Sequence, residues 1–417
     1  MTDQRLPTDV LIKVLILLPV KSILKFRCVS KTWRDLIGSP IFIHRHHNRA
    51  IKQRILLVKQ FFPPENVANY SSLCLSHLYD PNWNQLEIHS YGHLQIVSHS
   101  LSPQNPECFH EREHYFNKLL ASPHMSIPLL NYLSNPCNLM SNIPIHGPCN
   151  GLVCIVVEKT VVLYNPALRE FKLLPPLQFP LEVIAIPLQH GFGFDPVTGD
   201  YKVIQITSTS CLPSFFAVSP GSKIRFDLYN SASNSWKQLD AKSPATSWFP
   251  GYELLYNGAI HWIAIYRPYY SSPSMIVFDV NRETFRQINF HDNFYPSKGD
   301  LSLMELNGSL AVVRYGYPTR EPIKTEIWVM KQYGVKESWT KQFVVARCDC
   351  NICSFLFLKN ELLMVESEDG QLAACPVHEE NQFKGLQFFG DHRSMSAILY
   401  EESLISLNHV IASDRLI

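Results

Sequence analysis

At 417 residues the chain is long enough for two or three domains of ordinary size and for a large buried core. Hydrophobic residues at 46% and charged residues at 18% exclude a disordered or coiled-coil chain, and 17 Gly with 29 Pro exclude collagen-like and Pro/Gly low-complexity sequence. With 37 Lys and Arg against 36 Asp and Glu the net charge is +1, which argues against a nucleic-acid binder, since that function needs a basic face.

The neutrality hides an asymmetry. Residues 1–60 carry twelve Lys and Arg against three Asp, a net +9, so the remaining chain carries −8. Two solvated surfaces of opposite sign account for this without any function, whereas two partners of opposite charge account for it with one. The opening MTDQRLPTDV has acidic and polar residues where a secretory leader has a basic patch and an apolar run. The apolar run Val14–Val20 is short and contains Pro19, and no stretch reaches the ~18 apolar residues of a membrane span. The expectation is a chain of the cytosol or nucleus with no membrane partner. Its eleven cysteines are then expected to be free thiols.

The first fifty residues read as helical. Val10, Leu11, Val14, Leu15 and Leu18 fall on one helical face, started near Pro7 to Asp9 and stopped by Pro19. A second short helix carries Ile23, Leu24 and Phe26. Ser30 is placed to cap a third, with Trp33, Leu36 and Ile37, which Gly38 and Pro40 end. Ile41, Phe42 and Ile43 begin a fourth short apolar turn. Three short helices cannot bury all these apolar groups among themselves, so part of Leu6, Pro7, Leu11, Leu18, Pro19, Ile23 and Leu24 is expected to stay exposed as an interface. The competing reading packs the helices on the chain's own second domain.

Leu6-Pro7, Asp9-Val10-Leu11, Val14-Leu15, the run Leu18 to Leu24, the run Phe26 to Lys31, Trp33 and Leu36-Ile37 together resemble an F-box, from about residue 4 to residue 45. Lys13 departs from the pattern, where many plant F-boxes have an acidic residue. The resemblance implies docking to a Skp-type adaptor and, through it, to the cullin and RING subunits of a ubiquitin ligase. The residues it implies for that docking are Leu6, Pro7, Asp9, Leu11, Val14, Leu18, Pro19, Ser22, Leu24, Phe26, Val29 and Trp33.

From about residue 149 the pattern changes to short β-type runs. A turn signal precedes an apolar run at Asn150-Gly151, Thr198-Gly199-Asp200, Asn257-Gly258 and Asn307-Gly308, with weaker copies at Lys359-Asn360 and Glu401-Glu402; the spacings are 49, 58, 50, 53 and 42 residues. Between them recurs a strand, a Tyr or Asp, a turn and an aromatic: Tyr164 with Phe171, Tyr229 with Trp236, Asp279 with Phe285 and, in a longer version, Trp328 with Trp339. A period near fifty with one aromatic per unit predicts a kelch-type propeller of about six blades, each packing on the next. Trp236, Phe285 and Trp339 are expected to be buried. A stack of separate β-sandwiches is the alternative. ILLVK at 55–59 and SLCLSHL at 72–78 read as outer or closing strands, and residues 98–145 as a long loop region.

CNGLVCI, LYNPALREFKLLP, GFGFDPVTGDYKVIQI, IHWIAI, IVFDVNRETFRQI and IWVMKQYGVKESW also resemble the F-box-associated propeller of plant F-box proteins, over roughly residues 145–410. The combination is most similar to the S-locus F-box family of self-incompatible plants, pollen proteins that recognise a pistil ribonuclease. The resulting fold class is α+β and multidomain: a small three-helix F-box at 1–48, then an all-β kelch-like propeller at 49–410.

Other chemistry is weaker. Cys348, Cys350 and Cys353 could share a metal if Cys375 or a histidine completed the set, but buried free cysteines before a strand are the expected reading. His44, His46 and His47 read as polar surface, and His261 as core or channel lining. Asp195, Asp200, Asp227 and Asp279 recur at equivalent turn positions, as structural residues do, rather than as an acid–base pair. No nucleophile elbow, phosphate loop or zinc-protease motif is present. No catalytic residue, metal or cofactor is expected. Two functions of different class remain. One is a non-catalytic ligase receptor that brings a target protein, such as a basic S-locus ribonuclease or an unrelated target, to ubiquitination and degradation. The other is an enzyme whose helical head is a dimerisation cap. Which residues bind the target is unknown from the sequence.

Overall fold

The computed structural model describes residues 7–48, 54–65, 68–79, 87–99, 125–128, 145–157, 160–180, 184–210, 223–240, 247–248, 253–266, 273–290, 301–315, 324–346, 352–358, 362–367, 372–376, 384–385 and 394–407. The head contains four helices, α1 (Thr8–Leu15), α2 (Val20–Phe26), α3 (Lys31–Gly38) and α4 (Pro40–His47). The three-helix expectation is thus corrected: the apolar turn after Pro40 is a full helix. Its cause is local. Ser39 ends α3 and caps α4, its Oγ accepting from Phe42 N at 3.3 Å and donating to Leu36 O at 2.7 Å, while Pro40 fills the first helical position.

The strands that follow are β1 (Arg54–Glu65), β2 (Ala68–Tyr79), β3 (Glu87–His99), β4 (Met125–Pro128), β5 (Ile145–Cys149), β6 (Leu152–Val157), β7 (Thr160–Asn165), β8 (Glu170–Leu173), β9 (Ile184–Asp195), β10 (Asp200–Ser210), β11 (Lys223–Asn230), β12 (Ser235–Leu239) and β13 (Ser247–Trp248). Then come β14 (Leu254–Tyr256), β15 (Ala259–Tyr266), β16 (Ser274–Asp279), β17 (Thr284–Asn289), β18 (Leu301–Leu306), β19 (Ser309–Arg314), β20 (Lys324–Met330), β21 (Trp339–Ala346), β22 (Ile352–Leu358), β23 (Leu362–Ser367), β24 (Leu372–Pro376), β25 (Lys384–Gly385) and β26 (Ser394–Glu401). Among the described residues they form six sheets, antiparallel except that β4 runs parallel to β3. The strand at Met125–Pro128 falls inside the stretch expected to be loop; most of the rest of residues 98–145 lies outside the described residues.

Turn chemistry explains the hairpins. Asn150-Gly151, Asn257-Gly258 and Asn307-Gly308 all have positive φ at both positions, the two-residue turn whose twist matches that of the strands it joins. The expected second unit is a hairpin as well. Asn165, Asn230 and Asp279 each accept from the two backbone N–H groups two and three residues on, and the turn ends on a left-handed residue, Arg169, Asn234 or Glu283. Across these turns Tyr164 stands opposite Phe171 and Tyr229 opposite Trp236, while in the third copy Phe278, not Asp279, faces Phe285. Trp339 opposes Met330 and is buried with Trp328 in the core between β14–β17 and β18–β21. Trp236 and Phe285 are half-buried rather than buried, packed on the edges of neighbouring cores.

The sheets touch in sequence through their first strands. Strand β5 meets β9, β9 meets β14 and β15, these meet β18, β18 meets β22, β22 meets β26, and β26 meets β5, so the contacts return to their start. The last link corrects the sixth expected hairpin. Glu401-Glu402 does not turn into a strand: residues 402–406 are irregular, and β26 instead pairs with β1 in the sheet of β1–β4. Strands more than three hundred residues apart in sequence thus share a ladder. The Lys359-Asn360 turn lies outside the described residues, between β22 and β23, which pair antiparallel.

Candidate protein-docking surface

The head has a small core of its own, made by Leu15, Val20, Ile23, Ile37 and Phe42. Ser30 caps α3 as expected, accepting from Trp33 N at 3.1 Å, and Trp33 packs edge-on against Phe26 with centroids 5.5 Å apart. His46 is fully buried, not surface: its Nε2 donates to Leu18 O at 2.9 Å and its ring stacks on Phe42. That bond serves a carbonyl left open where Pro19 interrupts the helices. His44 is exposed and His47 half-buried, so the three histidines do not converge.

The predicted apolar face of α1 divides. Leu15 is buried and Leu11 and Leu18 half-buried, while Val10, Val14 (54% exposed) and Leu17 (67% exposed) point to solvent. With Pro7, also exposed, they recur at three- and four-residue spacing and form one stripe. Asp9, Pro19 and Val29 are exposed as well; Ser22, Leu24, Phe26 and Trp33 are half-buried; Leu6 lies outside the described residues. Ile23, expected among the partly exposed groups, belongs to the core instead. Val10, Leu17 and Ile41 are exposed apolar groups outside the expected interface set; for α1 the reason is that periodicity marks a buried face but cannot say how wide that face is. Lys13, Lys21, Lys25, Lys31, Arg34 and Arg45 give the same head positive charge at exposed positions.

Leu404, Ala167 and Leu168 also join the head core, so the head rests on the ring near the β7–β8 turn and the end of the described chain.

Within the ring, the candidate acids are structural partners. Asp195 accepts from Lys202 Nζ at 2.9 Å, Asn281 Nδ2 at 2.8 Å and Val197 N at 3.0 Å. Burial alone would raise its pKa, but these bonds together hold the carboxyl well below the usual range. Lys202 also pairs with Glu283, tying the β9–β10 turn to the β16–β17 turn. Asp200 accepts from Asn230, and Asp227 pairs with Arg225 at 2.7 Å, its pKa raised by burial against that pairing. His261 is buried core; its Nε2 meets the Tyr333 hydroxyl at 2.7 Å, and burial lowers its pKa to about 4. His146 Nδ1 lies 2.6 Å from Glu253, beside His190, whose pKa burial lowers to about 3. No expectation covered that pair, because its members are over a hundred residues apart. Cys348 and Cys350 lie outside the described residues, and the Cys353 side chain is not described. Among the described residues no group of three or more His, Cys, Asp or Glu could hold a metal. No described helix is long and apolar enough to cross a membrane, which says nothing of crossing by strands.

A helical docking module carrying an exposed apolar stripe, joined to a ring of β-sheets, defines the class. Residues 4–45 match the F-box domain and residues 117–407 the F-box associated beta propeller domain, and the chain belongs to this family of plant F-box proteins. Curated relatives in Arabidopsis thaliana include F-box protein CPR1, 21% identical over 82% of this chain and 73% of its own length. The F-box/kelch-repeat protein At3g23880 is 24% identical over 82% of this chain and 79% of its own length. F-box protein At3g07870 is 29% identical over 49% of this chain and 52% of its own. An F-box joined to such a propeller makes a substrate receptor of an SCF ubiquitin ligase, with the F-box as the part that engages a Skp-type adaptor.

Proposed function

We propose that residues 1–48 dock the chain to its adaptor through the stripe of Pro7, Val10, Val14 and Leu17, together with Leu6, Asp9, Leu11, Leu18, Pro19, Ser22, Leu24, Phe26, Val29 and Trp33, and that residues 49–410 hold the target. The observation that carries this is the stripe itself: a head that has a buried core still presents Val14 and Leu17 more than half exposed on one face of α1. The exposed basic residues of the head suit an acidic adaptor. In this reading the six sheets are six blades of a closed propeller, and the chain works in the cytosol or nucleus. It performs no chemistry of its own; ubiquitin transfer belongs to the cullin and RING partners, and the chain contributes proximity. The target is a protein, and the first candidate is a basic S-locus type ribonuclease. The sequence resemblance and the −8 balance of residues 61–417 support that choice, and another target protein is the alternative.

The test is adaptor binding by the full chain. Val14→Asp with Leu17→Asp should weaken binding by at least about tenfold, the scale of a lost hot spot, while the ring melts as in wild type. Full adaptor binding by that double variant, and by Leu6→Ala with Pro7→Ala, would remove the assignment.

A further inference from the structure

Residues 403–407 follow the closing strand β26 and lie between the head and the ring. Their side chains divide between the two. Leu404 is 5% exposed inside the head core, next to Ala167 and Leu168 of the β7–β8 turn. Ile405 and Leu407 point the other way, into the core shared by β5–β8 and β9–β12. The backbone between them is held by the ring. Asn165, buried at the end of β7, donates from Nδ2 to Ser403 O at 3.1 Å and to Ile405 O at 2.7 Å. Its Oδ1 accepts from Ala167 N and Leu168 N, so one side chain shapes the turn that touches the head and anchors the segment that enters it. Glu170 Oε2 accepts from Ser406 Oγ at 2.7 Å and Leu407 N at 3.0 Å. Tyr400 donates to Gly151 O at 2.9 Å, just before the segment begins.

These contacts serve more than ring closure. Closure is accomplished by the ladder of β26 with β1, and Ile405 and Leu407 add to the ring core. Leu404 adds nothing to that core; its apolar surface is spent on the head. A head joined to the ring by backbone alone would swing, and a swinging head would present its adaptor over a wide range of directions. We propose that Leu404 is a positioning residue: residues 403–407 form a splint that fixes the head on the ring, so that the adaptor and the ring-bound target keep one relative placement. The proposal rests on the reading of the head as an adaptor-docking module only for its consequence; the splint itself is a statement about this chain.

The experiment uses the full chain with bio-orthogonal labels at Asp35 on the head and Arg282 on a ring turn, both exposed. Wild type and Leu404→Met should give one narrow distance distribution, unchanged by adaptor. Leu404→Asp should lose that single peak and keep wild-type adaptor affinity. Because Leu404→Asp could disturb ring closure, Leu168→Glu attacks the same contact from a turn whose backbone bonds to Asn165 remain; it should also lose the peak with ring melting intact. In a reconstituted ligase, the set of the chain's own lysines that become ubiquitinated should spread in both variants and return in Leu404→Met. A narrow peak that persists in both variants, or a modified set that does not change, overturns the splint. Failure of wild type to bind adaptor would instead overturn the docking role and leave the distance result standing.

Discussion

Two glycines in the same kind of turn show how context sets the cost of a side chain. Gly151 and Gly258 both have φ near +75°, at +78° and +70°. A Cβ at Gly258 meets nothing within 4 Å, so Gly258→Ala bears only the left-handed backbone penalty, about 1–2 kcal/mol. A Cβ at Gly151 falls 2.1 Å from Ser403 Cβ, at the start of the splint. Gly151→Ala should therefore lose roughly 2–4 kcal/mol, readable as a lower denaturant midpoint than that of Gly258→Ala. Equal midpoints would show that the seam is looser than described. Histidine sets the pH response at this scale. His190 and His261 are buried and neutral, with pKa values lowered to about 3 and about 4. The unfolded chain binds those protons first, near pH 6.5, so the stability they permit is complete above that value. It is lost as pH falls from about 6.5 toward 4, at about 1.4 kcal/mol per pH unit for each group. Melting temperature should fall steadily from about pH 6.5 to pH 5, and His190→Gln should flatten the slope; an unchanged slope would mean the imidazole is solvated.

At the scale of elements, the sheets of β5–β8, β9–β12, β14–β17 and β18–β21 pack on one another through shared cores to which their hairpin aromatics contribute. Burial grades their worth. Trp339 is buried between two sheets, and Trp339→Ala should cost about 3–5 kcal/mol. Trp236 is half-buried, though its Nε1 donates to Pro175 O at 2.6 Å, so Trp236→Ala should cost clearly less. Chemical denaturation of the two variants checks the order. Much of this scale was legible in advance. The Asn-Gly pairs at 150, 257 and 307 announce their turns because few residues tolerate positive φ twice in a row. The fourth helix was not, because Ile41 to Ile43 read as a turn until Ser39 and Pro40 are seen capping a helix that buries Phe42 and His46.

For the whole molecule, the charge is divided unevenly along the chain, +9 in residues 1–60 and −8 over the rest. Under the proposed function the ring should associate with a basic target faster at low salt than at physiological strength, where the Debye length is about 8 Å. Stopped-flow association of the full chain with a basic ribonuclease measures this, and a salt-independent rate would remove charge steering.

Local rules settled the helix caps, the hairpin turns and the alternation of the strands, because each depends on residues a few positions apart: Ser30 with Trp33, Asn165 with Leu168, Asn307 beside Gly308. The apolar surplus on the head, and with it the prospect of a docking surface, was equally a matter of composition. Only the tertiary structure decided the rest. It paired β26 with β1, set Glu253 against His146, turned Val14 outward while Leu15 turned in, and placed Leu404 in the head while its neighbours entered the ring. Apart from the facing of α1, such contacts join residues one hundred to over three hundred positions apart, and they are chosen by which surfaces remain uncovered once the local elements have formed, which leaves no period or spacing in the chain to read.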